Sequence, residues 1–169
     1  FLADAGYTIP GARDPSFIPT LLDICEREAI GVILPILSVE MPVLAAHSDE
    51  FARRGIRMTV SSPETIALCN DKRSTARFFS EHGIPAPRTW AADALPSSWS
   101  ELPFPLIVKP AVGSGSRHTY RVDSAEQLGG ILPIVPDPIV QELVQGPEYT
   151  VDLMADRQSN LLAAVPRER

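Results

Sequence analysis

Apolar positions in the first third of the chain follow two alternating patterns. Phe17, Leu21, Leu22, Cys25 and Ala29 recur at helical spacing, which predicts a helix opened by Asp14-Pro15, running through Glu28 and ended by Gly31. Val32-Ile33-Leu34 is an uninterrupted apolar run stopped by Pro35, the pattern of a strand buried in a parallel sheet. Met41 to Arg54 predicts a second helix, closed by Gly55, and Ile56 to Val60 the next strand. Strand and helix alternating between Tyr7 and Val60 read as βα units on a parallel sheet. No glycine-rich phosphate turn joins them, so this Rossmann-like part carries no dinucleotide fingerprint.

Ser62-Pro63-Glu64 is a helix start, with Ser62 as the cap and Pro63 at the first helical position. Asp71 is placed to cap a further helix from Lys72 to His82, ended by Gly83 and Pro85. The polar segment Pro96 to Glu101 predicts an exposed loop. Strands then dominate: 106–109, 119–122, 139–142, 149–153 and 161–165 are short apolar or alternating runs. A single helix intervenes, opened by the capping box Ser124-Ala125-Glu126-Gln127. An α/β part is therefore followed by an α+β part.

Charge narrows the possible partners. The chain has 15 Lys and Arg against 21 Asp and Glu, a formal net charge of -6, and no basic stripe of the kind that binds phosphate backbones, so nucleic acid is not expected. Cys25 and Cys69 form no CxxC pair, which argues against a disulfide framework or a zinc ribbon and for a reduced, cytoplasmic setting. No apolar run approaches the roughly 18 residues of a membrane span. Prolines number 17 of 169, about twice the usual share, and Pro35, Pro63, Pro85, Pro87, Pro110, Pro147 and Pro166 are expected at element ends. The first residue is Phe1, in mid-pattern, which fits a piece of a longer chain.

Three segments could carry chemistry. In Val108-Lys109-Pro110-Ala111-Val112-Gly113-Ser114-Gly115-Ser116 a strand-end lysine precedes a loop whose N–H groups could wrap an anion. A hairpin loop with a snorkelling lysine fits the same residues. Gln141-Glu142-Leu143-Val144-Gln145-Gly146-Pro147-Glu148-Tyr149 sets two carboxylates about a Gly-Pro break, where they could accept from an adenine amino group or ribose hydroxyls. An ordinary polar turn fits too. Lys72, following Asp71, could reach a phosphate from the first turn of its helix or remain a surface lysine.

Taken in order, these segments resemble the ATP-grasp superfamily, and within it the carbamoyl-phosphate synthase large-subunit-like proteins. Leu34-Pro35 with Glu40, Phe51 to Ile56, Ser61-Ser62-Pro63-Glu64 and Gly83-Ile84-Pro85-Ala86-Pro87 extend the similarity along the chain. The resemblance implies a partial Rossmann-like pre-ATP-grasp domain over 1–61 and the N-terminal portion of an ATP-grasp domain over 62–169, its lid subdomain covering about 87–143. It implies that Lys72 and Lys109 contact ATP phosphates, beneath a lid loop of Gly113, Ser114, Gly115 and Ser116. Glu142 and the backbone near Val144 would meet adenine and Glu148 the ribose hydroxyls.

The same resemblance implies a carboxylate–amine or carbamoyl-phosphate synthase-like ligase acting on small molecules through an acyl phosphate. Magnesium would accompany ATP, with no metal ligand in this chain, so the isolated chain is expected to be a nucleotide-binding fragment without turnover. Two places depart from the pattern or fall outside it. Arg117-His118 stands where the family loop commonly has a further glycine, which implies a stiffer lid or a different contact with phosphate. Arg167 and Arg169, after Pro166, are candidates for clamping a phosphate or are exposed charges.

Overall fold

The computed structural model describes residues 3–156 and 158–169. Its first part is built on helix α1 (Phe17–Arg27), strands β1 (Val32–Ile33) and β2 (Arg57–Met58), and between them α2 (Met41–Ala46) and α3 (Ser48–Arg53). β1 and β2 pair in parallel, Val32 opposite Arg57 and Ile33 opposite Met58. Phe17, Ile18, Leu22, Cys25, Leu44, Phe51 and Ile56 form the core. Three expectations are corrected here. Asp14 does not cap α1 but accepts from the Ser16 N–H and hydroxyl in the turn before it. The single helix over 41–54 breaks at His47, whose Nδ1 meets the Val43 carbonyl at 2.8 Å, a side-chain bond competing with the helical ladder. The apolar run 32–34 is not enclosed: Val32 and Leu34 are exposed, because β2 is its one sheet partner among the described residues.

α4 (Pro63–Asn70) and α5 (Lys72–Glu81) connect to the second part. Ser62 Oγ accepts from the Thr65 N–H and Asp71 Oδ1 from the Arg73 N–H, so both caps form where the residue types place them. The second part is a four-stranded antiparallel sheet in the order β3 (Thr89–Ala91), β6 (Pro138–Glu142), β4 (Leu106–Pro110), β5 (Tyr120–Val122). One face of this sheet is covered by α6 (Ala125–Ile131), capped by Ser124. Leu106, Val108, Val122, Leu128 and Val140 are fully buried there. Each such side chain contributes roughly 1.5–3 kcal/mol.

The segment 96–101 is exposed at 97, 98, 100 and 101, as its polarity implies, while Pro96 and Trp99 are half-buried. Trp99 starts a short 3-10 turn and packs on the core beside Leu102. Last comes the hairpin β7 (Tyr149–Ala155) and β8 (Leu161–Glu168), Tyr149 opposite Glu168, every residue of both strands exposed. Pro166, expected at an element end, sits within β8 opposite Val151. β8 is an edge strand among the described residues, where a missing N–H is tolerated. No helix among the described residues is long and apolar enough to cross a membrane.

Candidate functional site

Strand period places the chemistry of β4. Leu106 and Val108 point into the core, so Lys109 emerges on the opposite face, partly buried. Lys109 pairs with Ile139 across the ladder, and Gln141 lies diagonal to it. The Lys109 ammonium donates to Gln141 Oε1 at 2.7 Å. Burial, and secondarily the nearby charge of Lys72, lower the pKa of Lys109.

β4 then runs into the glycine loop, and α5 closes against the junction. An isolated bridge pairs Asp71 with Val112, and the Lys72 N–H donates to the Ala111 carbonyl at 2.9 Å. The Lys72 ammonium donates to the carbonyls of Pro110, Ala111 and Gly113 at 3.2, 3.3 and 3.0 Å. Its three donors are thus matched by three acceptors at the base of the loop. Arg73 reaches Asp71 with Nη2 at 2.8 Å and Asp137 with Nη1 at 2.8 Å, tying α5 to the turn before β6. The Arg73 guanidinium holds the Asp71 carboxyl below its ordinary range.

The loop itself is exposed from Val112 to Thr119. Gly113 and Gly115 lie at φ 151° and 70°, and Ser116 and His118 also adopt left-handed backbone, at φ 55° and 53°. His118 therefore occupies a conformation that glycine adopts without strain. Beneath the loop is a cleft of about 310 Å³ lined by Lys72, Lys109, Pro110, Gly113 to Arg117, Thr119 and Arg169. Four basic side chains and no acidic one line it, in a chain whose net charge is -6. That arrangement, with glycine backbone and two serine hydroxyls, can receive a multiply charged anion.

The cleft gathers Lys72, Lys109, Gly113, Ser114, Gly115, Ser116 and Arg169, and leaves other expected residues outside its lining. Glu142 is engaged with Arg88, its Oε2 accepting from the Arg88 N–H at 3.0 Å while its own N–H donates to the Arg88 carbonyl. Val144 is exposed. Glu148 does not line the cleft but accepts from Arg169 at 2.6 Å, and Arg167 turns to Asp152 at 2.9 Å. A larger open cleft of about 940 Å³ lies between α5 and Gly83 to Ala91. It contains neither lysine, its lining includes the acidic Asp71 and Glu81, and of its arginines Arg73 pairs with Asp71 and Asp137 and Arg77 with Glu81.

Sequence reasoning missed Arg117 and Thr119 as lining residues, and Gln141 and Thr89 as partners behind Lys109. Their signal lies in strand register, since Gln141 stands opposite Thr89 on β3 and diagonal to Lys109 on β4. Among the described residues no three His, Cys, Asp or Glu side chains are grouped as metal ligands would be.

Two family models match the chain. Residues 69–169 match the family model of the ATP-grasp domain, and residues 1–59 that of the PylC-like N-terminal domain. A D-alanine–D-alanine ligase of Alcanivorax borkumensis is 34% identical over 105 residues, 60% of this chain and 33% of the relative. The carbamoyl phosphate synthase large chain of Bifidobacterium animalis subsp. lactis is 26% identical over 181 residues, 99% of this chain and 16% of the relative. The chain thus spans a third or less of the length of these two relatives. Among solved structures, L-amino acid ligase from Bacillus licheniformis aligns with a TM-score of 0.73 at 17% identity, covering 95% of this chain and 38% of its own. Biotin carboxylase from Campylobacter jejuni aligns at 0.70 and 20% identity, covering 88% and 37%. These likenesses give the fold: a Rossmann-like part followed by part of an ATP-grasp fold.

Proposed function

The chain belongs to the ATP-grasp domain family, and from that premise we propose that the cleft beneath the 113–116 loop receives the phosphates of ATP. The observation that carries this reading is the cleft's lining of Lys72, Lys109, Arg117 and Arg169 with no acidic side chain. Lys109 supplies a charge partly withdrawn from water, where it acts on an anion more strongly than a solvated lysine would. Lys72 binds the loop carbonyls and brings its positive charge to the same place. The residues at 1–61 and at 62–169 act as a Rossmann-like domain and the front of the ATP-grasp domain, with the sheet over 87–143 as the lid.

The whole protein, on this reading, is an ATP-dependent carboxylate–amine ligase. The γ-phosphoryl group passes to a substrate carboxylate oxygen, ADP leaves, and an amine then displaces phosphate from the acyl phosphate. The residues described contribute positioning and charge neutralisation, the main protein terms in phosphoryl transfer. Magnesium accompanies the nucleotide without ligands among the described residues. Glu142 with Val144 and Glu148 would serve adenine and ribose once Glu142 is released from Arg88 and Glu148 from Arg169. Titration calorimetry of the chain and of Lys109→Ala with ATP and magnesium tests the reading. The variant should bind at least tenfold more weakly, and an unchanged affinity removes Lys109 from the site.

A further inference from the structure

Lys109 does not stand alone on its face of the sheet. Behind it the side chains form one directional chain across three strands: Lys109 Nζ donates to Gln141 Oε1 at 2.7 Å, Gln141 Nε2 to Thr89 Oγ1 at 2.8 Å, and the Thr89 hydroxyl to the Pro87 carbonyl at 3.0 Å. The two ends of this chain fix its direction. An ammonium can only donate and a carbonyl can only accept. The Thr89 hydroxyl must therefore give its proton to Pro87 and take one from Gln141, which leaves the Gln141 oxygen for Lys109. Reversing the amide would set its NH2 against the ammonium and lose the Lys109 bond, and the Thr89 hydroxyl could meet the amide oxygen only by giving up Pro87.

We propose that Gln141, locked by Thr89, is a positioning residue for Lys109, holding the ammonium at the mouth of the loop with a neutral acceptor so that its full charge is kept for an anion. A carboxylate at 141 would hold the ammonium as firmly but neutralise it. An apolar side chain would leave the charge without its partner. The other charged side chains lining the cleft are basic: Lys72 from α5, Arg117 from the loop and Arg169 after β8, the last of them paired with Glu148 at 2.6 Å. Gln141 is then the partner that satisfies Lys109 without cancelling a charge the cleft collects. The proposal rests on the assignment of Lys109 to ATP phosphates, and its test is chosen to separate the two.

The ammonium of Lys109 is titrated by NMR in chain carrying 13Cε-lysine, its signal assigned by its loss in Lys109→Ala, alongside calorimetry with ATP and magnesium. Gln141→Glu should raise the pKa of Lys109 and weaken ATP binding at least tenfold in a protein that still melts cooperatively. Thr89→Val should weaken ATP binding about threefold to tenfold, and Thr89→Ser, which restores the hydroxyl, should recover it. Unchanged titration of Lys109 in Gln141→Glu overturns the proposal whatever happens to nucleotide affinity, as does Thr89→Ser binding no better than Thr89→Val when Thr89→Val is impaired. Titration that moves while ATP affinity stays constant in every variant, Lys109→Ala included, refutes the nucleotide assignment and leaves the Gln141 relay standing.

Discussion

Replacing Asp71 by alanine tests the junction on which the cleft is built. Asp71 caps α5, accepts a forked pair of bonds from Arg73, and stands immediately before Lys72, whose backbone is bonded to Ala111. Loss of an Asp cap costs about 0.5–2 kcal/mol. The ion pair adds at most about 1 kcal/mol, because both side chains are partly solvated and Arg73 keeps Asp137. The sum is about 2 kcal/mol, which for a chain of this size lowers the melting temperature by roughly 4–8 °C.

Asp71→Asn should recover about half of that loss, since asparagine caps as well as aspartate but forms no ion pair. Calorimetric melting at neutral pH measures both variants. The pKa of Asp71 is lowered below its ordinary 3.8, chiefly by Arg73, so its contribution is present above that value and disappears as the pH falls through the folded-state pKa. The gap between wild type and Asp71→Ala should therefore narrow in acid, towards the gap that separates Asp71→Asn from Asp71→Ala. An Asp71→Ala protein melting within about 1 °C of wild type at neutral pH, where roughly 4–8 °C is expected, would refute the reasoning.

Three further outcomes follow from other parts of the fold. Leu128→Ala empties a fully buried position on α6 and should cost about 2–5 kcal/mol, read by urea unfolding. Gly115→Ala meets open space but requires left-handed backbone at φ 70°; it should cost about 1–2 kcal/mol by the same measurement, with Gly115→Asn costing less. In the native protein a thiol reagent should modify exposed Cys69 at once and buried Cys25, its thiol pKa raised by burial, only on unfolding.

What the sequence shows depends on the range of the interaction. Ser62, Asp71 and Ser124 are legible because a cap is decided within three residues. The helix over 41–54 is misread because its break at His47 depends on one side-chain bond to Val43, and helical periodicity is blind to it. β3 escapes notice because Thr89-Trp90-Ala91 is too short to show alternation and is a strand only through its pairing with β6. Lys72, Lys109 and the loop are identifiable as candidates from residue type. Gln141 and Thr89 are not, since their nearness to Lys109 is a product of register between strands far apart in sequence.

The exposed β7–β8 hairpin gives the cleft two walls of unequal permanence. Strands β4 and β6 share a buried core, so their amides are expected to exchange with solvent through large-scale unfolding. Among the described residues the hairpin's Val151, Leu153 and Leu161 are exposed, so within these 169 residues the ribbon has little buried area to hold it closed. Arg169 belongs to that second wall. On the proposed reading, an anion held by both Lys109 and Arg169 would bind these 169 residues with its intrinsic affinity multiplied by the fraction of molecules in which the ribbon is formed. The occupancy of the ribbon would then enter the apparent dissociation constant as a conformational factor, separate from any contact inside the cleft.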